Sequence, residues 1–362
     1  MPQEKKAQQG AILIMAGGTG GHVFPALAIA EALRTQGITV YWLGTRLGLE
    51  ARVVPAANID IKYISINGIR GKGWFSLLAA PFKITLALWQ SIRVLRTLRP
   101  TAVVGMGGFV TGPGGVAAWL LRIPLFIHEQ NAIAGLTNRW LARLATTVME
   151  AFPNTFTKNY QAVHTGNPLR TNILALSSQH PKTVHKPLHI LIIGGSLGAK
   201  VLNETVPQAL QQLQGNIEVW HQTGNAHIDV MRQAYDGTPF KARVAAFIED
   251  MAAAYAWADM VICRAGAITV SELAQAGVAS ILVPYPYAVD DHQTHNARFL
   301  SENGAAIRLP QTALTVEKLA SLIKELYNDP DRLTAMSAAA RNCATPTALE
   351  KVVGLIVKNH SL

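Results

Sequence analysis

Residues 12–25 read ILIMAGGTGGHVFP, a four-residue apolar run followed by four glycines within five positions, then a histidine, an apolar pair and a proline. A run this short suits a buried strand. The stretch after it, FPALAIAEALRTQG, has helical spacing and closes on Gly37. A strand that breaks into glycines before a helix is one unit of a parallel α/β sheet, and the unit recurs. TVYWLG (39–44), TAVVGM (101–106), IPLFIHE (123–129) and TTVMEAF (146–152) read as further strands of the first half. LHILIIGGSLGAKVLNETVPQAL (188–210) repeats strand, glycine turn and helix, and residues 259–286 parallel residues 102–131. The expected fold class is therefore α/β, two Rossmann-like domains with parallel sheets and a ligand cleft between them. The boundary is expected near GNPLRTN (166–172), giving domains 1–168 and 169–345, with a last helix over about 346–362 returning to the first.

A glycine turn between strand and helix exposes backbone N–H groups at the positive end of a helix dipole, which suits an anion. Four places qualify: Gly17–Gly21, Gly105–Gly115, Gly194–Gly198 and Ala265–Ala267. Any one of them is explained by tight turning alone. Four at equivalent places in two halves point to phosphate. The Walker lysine followed by Ser/Thr is absent, and neither GGTGGH nor GGSLGA has dinucleotide G-x-G-x-x-G spacing. These absences disfavour a Walker ATPase and a nicotinamide dehydrogenase, and two phosphate-friendly halves suit an enzyme with a nucleotide-diphosphate donor and a second phosphorylated partner.

Charge supports this. Residues 1–168 hold 16 Lys/Arg against 6 Asp/Glu, whereas residues 169–362 hold 16 of each, so the whole net charge of +10 lies in the first half. No acid occurs between Asp60 and Glu129, where eight basic residues do. Such a surface seeks anions. Two distant cysteines, Cys263 and Cys343, exclude a disulfide framework and fit a reducing compartment. The polar start MPQEKKAQQG lacks a signal-peptide core. Residues 102–121 are uncharged but carry six glycines and a proline, and residues 76–92 are interrupted by Pro81 and Lys83, so no membrane-spanning helix is expected.

Taken together, GGTGGHVFPALAIA, GMGGFVTGPGG, HEQNAIAGLTNRWLA, GNPLR, GGSLGA and RAGAITVSELAQAG with DDHQTHNA resemble the MurG family of GT-B glycosyltransferases, over nearly the whole chain. The resemblance implies inverting transfer of N-acetylglucosamine (GlcNAc) from UDP-GlcNAc to the C4 hydroxyl of N-acetylmuramic acid (MurNAc) in lipid I, giving lipid II for peptidoglycan. It also implies a peripheral enzyme on the cytoplasmic face of the inner membrane, with cell-wall synthesis or division proteins as partners. The one D-x-D spacing, DPD at 329–331, lies outside the motifs that carry the resemblance, which requires no metal and no cofactor.

The resemblance also carries roles for single residues. His22, ending the first glycine loop, is the candidate base, since imidazole titrates near neutrality; the alternative is a histidine that only hydrogen-bonds the loop or a phosphate. Glu129 is a second candidate base, or fixes loop geometry. Thr19, Gly20 and Gly21 line the site, and Asn131 binds sugar or phosphate unless it caps the next helix. On the donor side Ser196 holds a phosphate or is an N-cap. Arg170 offsets leaving-group charge or forms a surface ion pair. Glu272 accepts the ribose hydroxyls or is a first-turn glutamate. Ile248 reads uracil through its backbone; by itself it reads as core. Ala267, Ile268, Thr269, Val270 and Ser271 flank the diphosphate, and Gln293 contacts the GlcNAc hydroxyls or is a solvated amide. One departure is Ala265, where many relatives carry serine.

Residues 69–99 place Trp74, Phe75, Leu77, Leu78 and Phe82 among Arg70, Lys72 and Lys83. With a polyprenyl-linked acceptor this reads as contact with an anionic membrane surface; otherwise it reads as core with a solvated rim. The rival functions are another GT-B glycosyltransferase, a non-hydrolysing sugar epimerase, or a basic nucleic-acid-binding protein. The last lacks aromatics interleaved along the basic run, so no nucleic-acid partner is expected.

Overall fold

The computed structural model describes residues 10–66, 80–178, 184–195, 198–213 and 215–360. The chain divides into two compact units, Met1–Arg170 with Thr347–Leu362, and Thr171–Pro346. The first unit holds strands β1 (Ile12–Met15), β2 (Val40–Gly44), β3 (Asp60–Tyr63), β4 (Ala102–Gly105), β5 (Leu125–Glu129), β6 (Thr147–Glu150) and β7 (Val163–His164). They form one parallel sheet in the order β3-β2-β1-β4-β5-β6-β7. Ile12, Leu13, Ile14 and Met15 are all fully buried, as a strand covered on both faces requires. Their alternation sorts them. Ile12 and Ile14 join Val23, Ile29 and Leu33 of helix Gly20–Thr35, and Val352 and Ile356 of helix Ala348–His360. Leu13 and Met15 join Ala87, Leu95, Ala117 and Leu141 on the opposite face.

The second unit repeats the plan with β8 (Leu188–Ile193), β9 (Ile217–Gln222), β10 (Lys241–Ala245), β11 (Met260–Cys263), β12 (Ala279–Leu282) and β13 (Ala306–Arg308). Its parallel order is β10-β9-β8-β11-β12-β13. Ile190 and Ile192 pack with Leu202 and Val206 of helix Lys200–Gln211 and with Leu319 and Ile323 of helix Val316–Asn328. In both sheets the strand order reverses beside the first strand, between β1 and β4 and between β8 and β11. Such a switch point is where ligands bind in open α/β sheets. All four glycine turns singled out above follow one of these central strands.

Two sequence expectations change. The first helix starts at Gly20, not Phe24, and so includes Pro25; His22 lies in its first turn rather than at the end of the loop. Gly20 and Gly21 have no side chains to contribute to an apolar period, so periodicity cannot see that turn. Pro81 is the second residue of helix Ala80–Leu98, where a missing N–H costs nothing, and it opens that helix rather than interrupting it. Among the described residues no helix is long and apolar enough to cross a membrane.

Candidate active site

The glycine loop after β1 is held from three sides. Trp42 donates Nε1–H to the Ala16 carbonyl at 2.9 Å. Glu50, fully buried, accepts from Gly18 N at 3.0 Å through Oε2, and from Thr45 N and Oγ1 at 2.9 and 2.8 Å through Oε1. A Cβ on Gly17, Gly44 or Gly48 would fall 2.7, 2.7 and 2.0 Å from atoms of Glu50, so these three glycines make the space the carboxylate occupies. Behind the loop, Gly108 adopts φ +85°, and a Cβ there would fall 2.3 Å from the Gly17 carbonyl oxygen. The loops after β1 and β4 thus meet backbone to backbone. The glycines therefore serve close approach as well as turning, a reason not visible along the sequence.

His22 lies on this bed. A Cβ at Gly107 (φ +99°) would fall 2.8 Å from His22 Cε1. His22 Nδ1 lies 2.7 Å from Gln130 Oε1. Gln130 Nε2 in turn donates to the His128 carbonyl at 3.0 Å and lies 3.1 Å from His128 Nδ1. His128 Nε2 lies 3.0 Å from the Gly166 carbonyl, and Asn167 Nδ2 donates to the Gln130 carbonyl at 3.1 Å. Burial pushes the His128 ring down to about 4, against the opposing pull of the Gly166 hydrogen bond and Glu129, so it is neutral in the folded unit. The unfolded chain takes up that proton below about 6.5 while the native state resists until about 4. Stability from this group is complete above 6.5 and falls with pH between the two values, by about 1.4 kcal/mol per pH unit at most. Thermal melts at about pH 7 and about pH 5 should show the lower midpoint at the lower pH, and His128→Gln should weaken that dependence.

Glu129 is 2% exposed and its carboxylate is spent on the loop that follows β5. Oε1 accepts from Asn131 N and Nδ2 at 3.0 and 3.1 Å, and Oε2 from Gly135 N and Asn138 Nδ2 at 3.0 and 2.9 Å. Four donors match the acceptor capacity of a carboxylate. Of the two sequence readings, the geometry therefore fits loop fixing, and removing a substrate proton would require breaking this cage. Asn131 does not cap the following helix Leu136–Leu141, whose N-cap is Gly135. Thr19 is the N-cap residue of helix Gly20–Thr35, extended and exposed, without a side-chain cap bond; Gly20 and Gly21 follow it in the first turn. Arg170, expected on the donor side, closes the first unit, and its guanidinium lies 5.8 Å from the Phe24 ring centroid.

In the second unit the turn after β11 is clamped from its surroundings. Arg264 donates to the Val283 and Pro284 carbonyls and to Gln311 Oε1 at 3.1, 3.2 and 2.7 Å. Gln293 Oε1 accepts from Ala265 N and Tyr285 N at 3.1 and 2.9 Å, and Asn296 Nδ2 donates to the Ala265 carbonyl at 3.2 Å. Gln293 is thus no solvated loop amide. It lies in helix His292–Ser301 and orients the turn through its carbonyl oxygen. Gly266 is the N-cap of helix Ala267–Ala276, whose first internal bond runs from Val270 N to the Gly266 carbonyl. The N–H groups of Ala267, Ile268 and Thr269 have no acceptor further back in the helix and stand at its positive end, as an anion site requires. Val270 is buried, and Ser271 is half-buried. Glu272 is the sixth residue of that helix, in the second turn rather than the first, so the dipole does not explain it. It is buried and accepts from Tyr255 Oη at 3.0 Å. The Ile248 side chain is buried. Ser196 lies outside the described residues.

Two parallel Rossmann-like units with glycine turns at their switch points, a histidine bedded on one turn and an uncapped helix N-terminus at another, have the architecture of the GT-B fold. The chain belongs to glycosyltransferase family 28: residues 12–150 match the N-terminal domain of that family and residues 189–353 its C-terminal domain. It is 55% identical to the UDP-N-acetylglucosamine–N-acetylmuramyl-(pentapeptide) pyrophosphoryl-undecaprenol N-acetylglucosamine transferase of Methylococcus capsulatus, over 94% of this chain and 96% of that one. Identity to the enzyme of the same name from Aeromonas hydrophila is 52%, over 94% of each chain. The crystal structure of Acinetobacter baumannii MurG superposes with a TM-score of 0.82 at 48% identity, covering 96% of this chain and 99% of that one.

Sequence reasoning passed over Glu50, Gln130, His128, Arg264 and Asn296. Gln130 and His128 stand inside the quoted HEQN motif, but their roles depend on partners such as His22, 108 positions from Gln130. Glu50 follows TRLGL, and the only signal for it is the set of glycines at 17, 44 and 48, scattered along the chain.

Proposed function

We propose that this chain transfers GlcNAc from UDP-GlcNAc to the C4 hydroxyl of MurNAc in lipid I, releasing UDP and forming lipid II. The observation that carries this reading is identity of 50% or more, over nearly the whole chain, to relatives that all bear the name of one transferase. The first unit then receives the acceptor and the second the donor. The acceptor oxygen attacks the anomeric carbon of GlcNAc, the bond from that carbon to the diphosphate oxygen breaks, and the configuration inverts. His22 takes the hydroxyl proton, with Thr19, Gly20, Gly21 and Asn131 about the acceptor. The charge that collects on departing UDP is met by the helix N-terminus at Ala267, Ile268 and Thr269, beside Val270 and Ser271, together with Ser196 and Arg170. Glu272 accepts ribose hydroxyls, the Ile248 backbone meets uracil, and the Gln293 amide contacts the sugar. The test is transfer of labelled GlcNAc to a synthetic lipid I analogue, alongside thermal shifts with UDP-GlcNAc and UDP-glucose. A shift with both sugars and no transfer to the analogue would point to another GT-B glycosyltransferase.

The same reading places the chain at the inner face of the membrane that carries lipid I. Helix Ala80–Leu98 exposes Phe82, Leu86 and Trp89 at spacings of four and three, one stripe of its surface. Arg93 continues the stripe, its guanidinium 5.8 Å from the Trp89 ring centroid. Trp119 and Leu120 are exposed at the end of helix Thr111–Leu120. Aromatic side chains beside cations suit anionic headgroups. Trp74, Phe75, Leu77, Leu78, Arg70 and Lys72 lie outside the described residues. Replacing Phe82 and Trp89 with serine should weaken sedimentation with phosphatidylglycerol vesicles by at least about tenfold, since burying one such ring contributes about 1.5–3 kcal/mol. Unchanged sedimentation would remove this face from the proposal.

A further inference from the structure

The chain of bonds behind His22 has a direction. Gln130 Nε2 lies 3.0 Å from the carbonyl oxygen of His128, which only accepts, so that end of the amide must be the NH2. The opposite arrangement would set Gln130 Oε1 against this carbonyl, two acceptors face to face. The amide oxygen is therefore the atom 2.7 Å from His22 Nδ1. An amide oxygen only accepts, so Nδ1 carries the proton and Nε2 carries the lone pair.

His128 locks the orientation from behind. Its ring lies 3.0 Å from the Gly166 carbonyl through Nε2, which must therefore hold the proton and leave Nδ1 to accept from Gln130 Nε2 at 3.1 Å. The same ring is fully buried and neutral, so it does not become a donor at Nδ1 near neutral pH. Gln130 is itself buried, with its backbone carbonyl held by Asn167 Nδ2. Each member of the series Gly166, His128, Gln130, His22 has one orientation consistent with the next.

We propose that Gln130, held by His128, is a positioning residue that sets the tautomer of His22, so that Nε2 is the atom able to accept a proton. This rests on the reading of His22 as the base and adds a requirement to it. An imidazole free to choose its tautomer would spend part of its time with Nε2 protonated and unable to act. A fixed neutral acceptor at Nδ1 removes that fraction, and also supports the imidazolium that forms when Nε2 takes a proton.

Nitrogen-15 NMR of histidine-labelled full-length protein, with His22 assigned by comparison with His22→Ala, reads the tautomer without any turnover. For the neutral ring the expected signal is the Nδ1–H form; a dominant Nε2–H form overturns the proposal, whatever the enzyme's activity. In Gln130→Met, which keeps length and loses the acceptor, the His22 signals should move to a tautomer mixture. Its kcat should fall by about 10²-fold, at the low end of what a general base contributes, with KM for UDP-GlcNAc held. Gln130→Glu should restore the Nδ1–H form, stabilise the imidazolium, and carry the acidic limb of the kcat profile to higher pH. If Gln130→Met leaves the tautomer unchanged, the proposal fails even in a variant that is still folded. A fixed tautomer in the wild type together with full turnover by His22→Ala would instead refute the base reading and leave the tautomer relay standing.

Discussion

His22→Ala is expected to lower kcat for GlcNAc transfer by about 10³-fold, within the range that general-base catalysis contributes, while binding of UDP-GlcNAc is retained. His22 stands in the first turn of helix Gly20–Thr35, at the carboxyl end of β1, next to the switch point of the first sheet. Its ring rests on Gly107, where even a methyl group would collide with it, and its Nδ1 is engaged by Gln130. Removing the ring deletes the proton acceptor but leaves the second unit and its helix N-terminus at Ala267 untouched. Calorimetric titration with UDP-GlcNAc and turnover with a lipid I analogue separate the two effects. Wild-type turnover in the variant would take the base role from His22; lost donor binding would show that the ring matters for something other than proton transfer.

Glu50→Ala is expected to destabilise the first unit by about 3 kcal/mol, on the scale of buried hydrogen bonds to a charged acceptor. Glu50 does more than fill space. It is the common acceptor for Gly18 N, Thr45 N and Thr45 Oγ1, and it is fully shielded from water. Alanine strands these donors in a space that Gly17, Gly44 and Gly48 leave open. Glu50→Gln should lie between alanine and wild type, because its NH2 must face one of the same donors. Transfer activity should fall in both variants as the loop that carries Thr19 loses its anchor. Urea unfolding followed by a probe in the first unit measures the stability change; a midpoint equal to wild type in Glu50→Ala would refute the anchoring role.

The exposed stripe on helix Ala80–Leu98 shows the same division between what is local and what is not. Phe82, Leu86, Trp89 and Arg93 share a helix face by spacing alone, and a sequence reader can mark them. Whether that face is buried is not a property of the helix. Exposure of Phe82 at 76% and Trp89 at 57% depends on the neighbouring elements leaving it uncovered.

Much of this protein is written locally. Continuous apolar runs such as ILIM and LHILII demand strands covered on both faces, alternation with helices demands parallel sheets, and glycines after central strands mark where each sheet can hold an anion. These are short-range consequences of side-chain period and backbone freedom, so the chain's two-unit α/β class could be read without coordinates. The assignment of partners could not. Glu129 as the hub of its own loop, Glu50 in its glycine nest, Gln293 as a clamp on Ala265 and Tyr285, and the orientation of Gln130 between two histidines all join atoms through the fold. A hydrogen bond acts over about 3 Å and has a direction, and only the tertiary structure decides which donors and acceptors come within that reach.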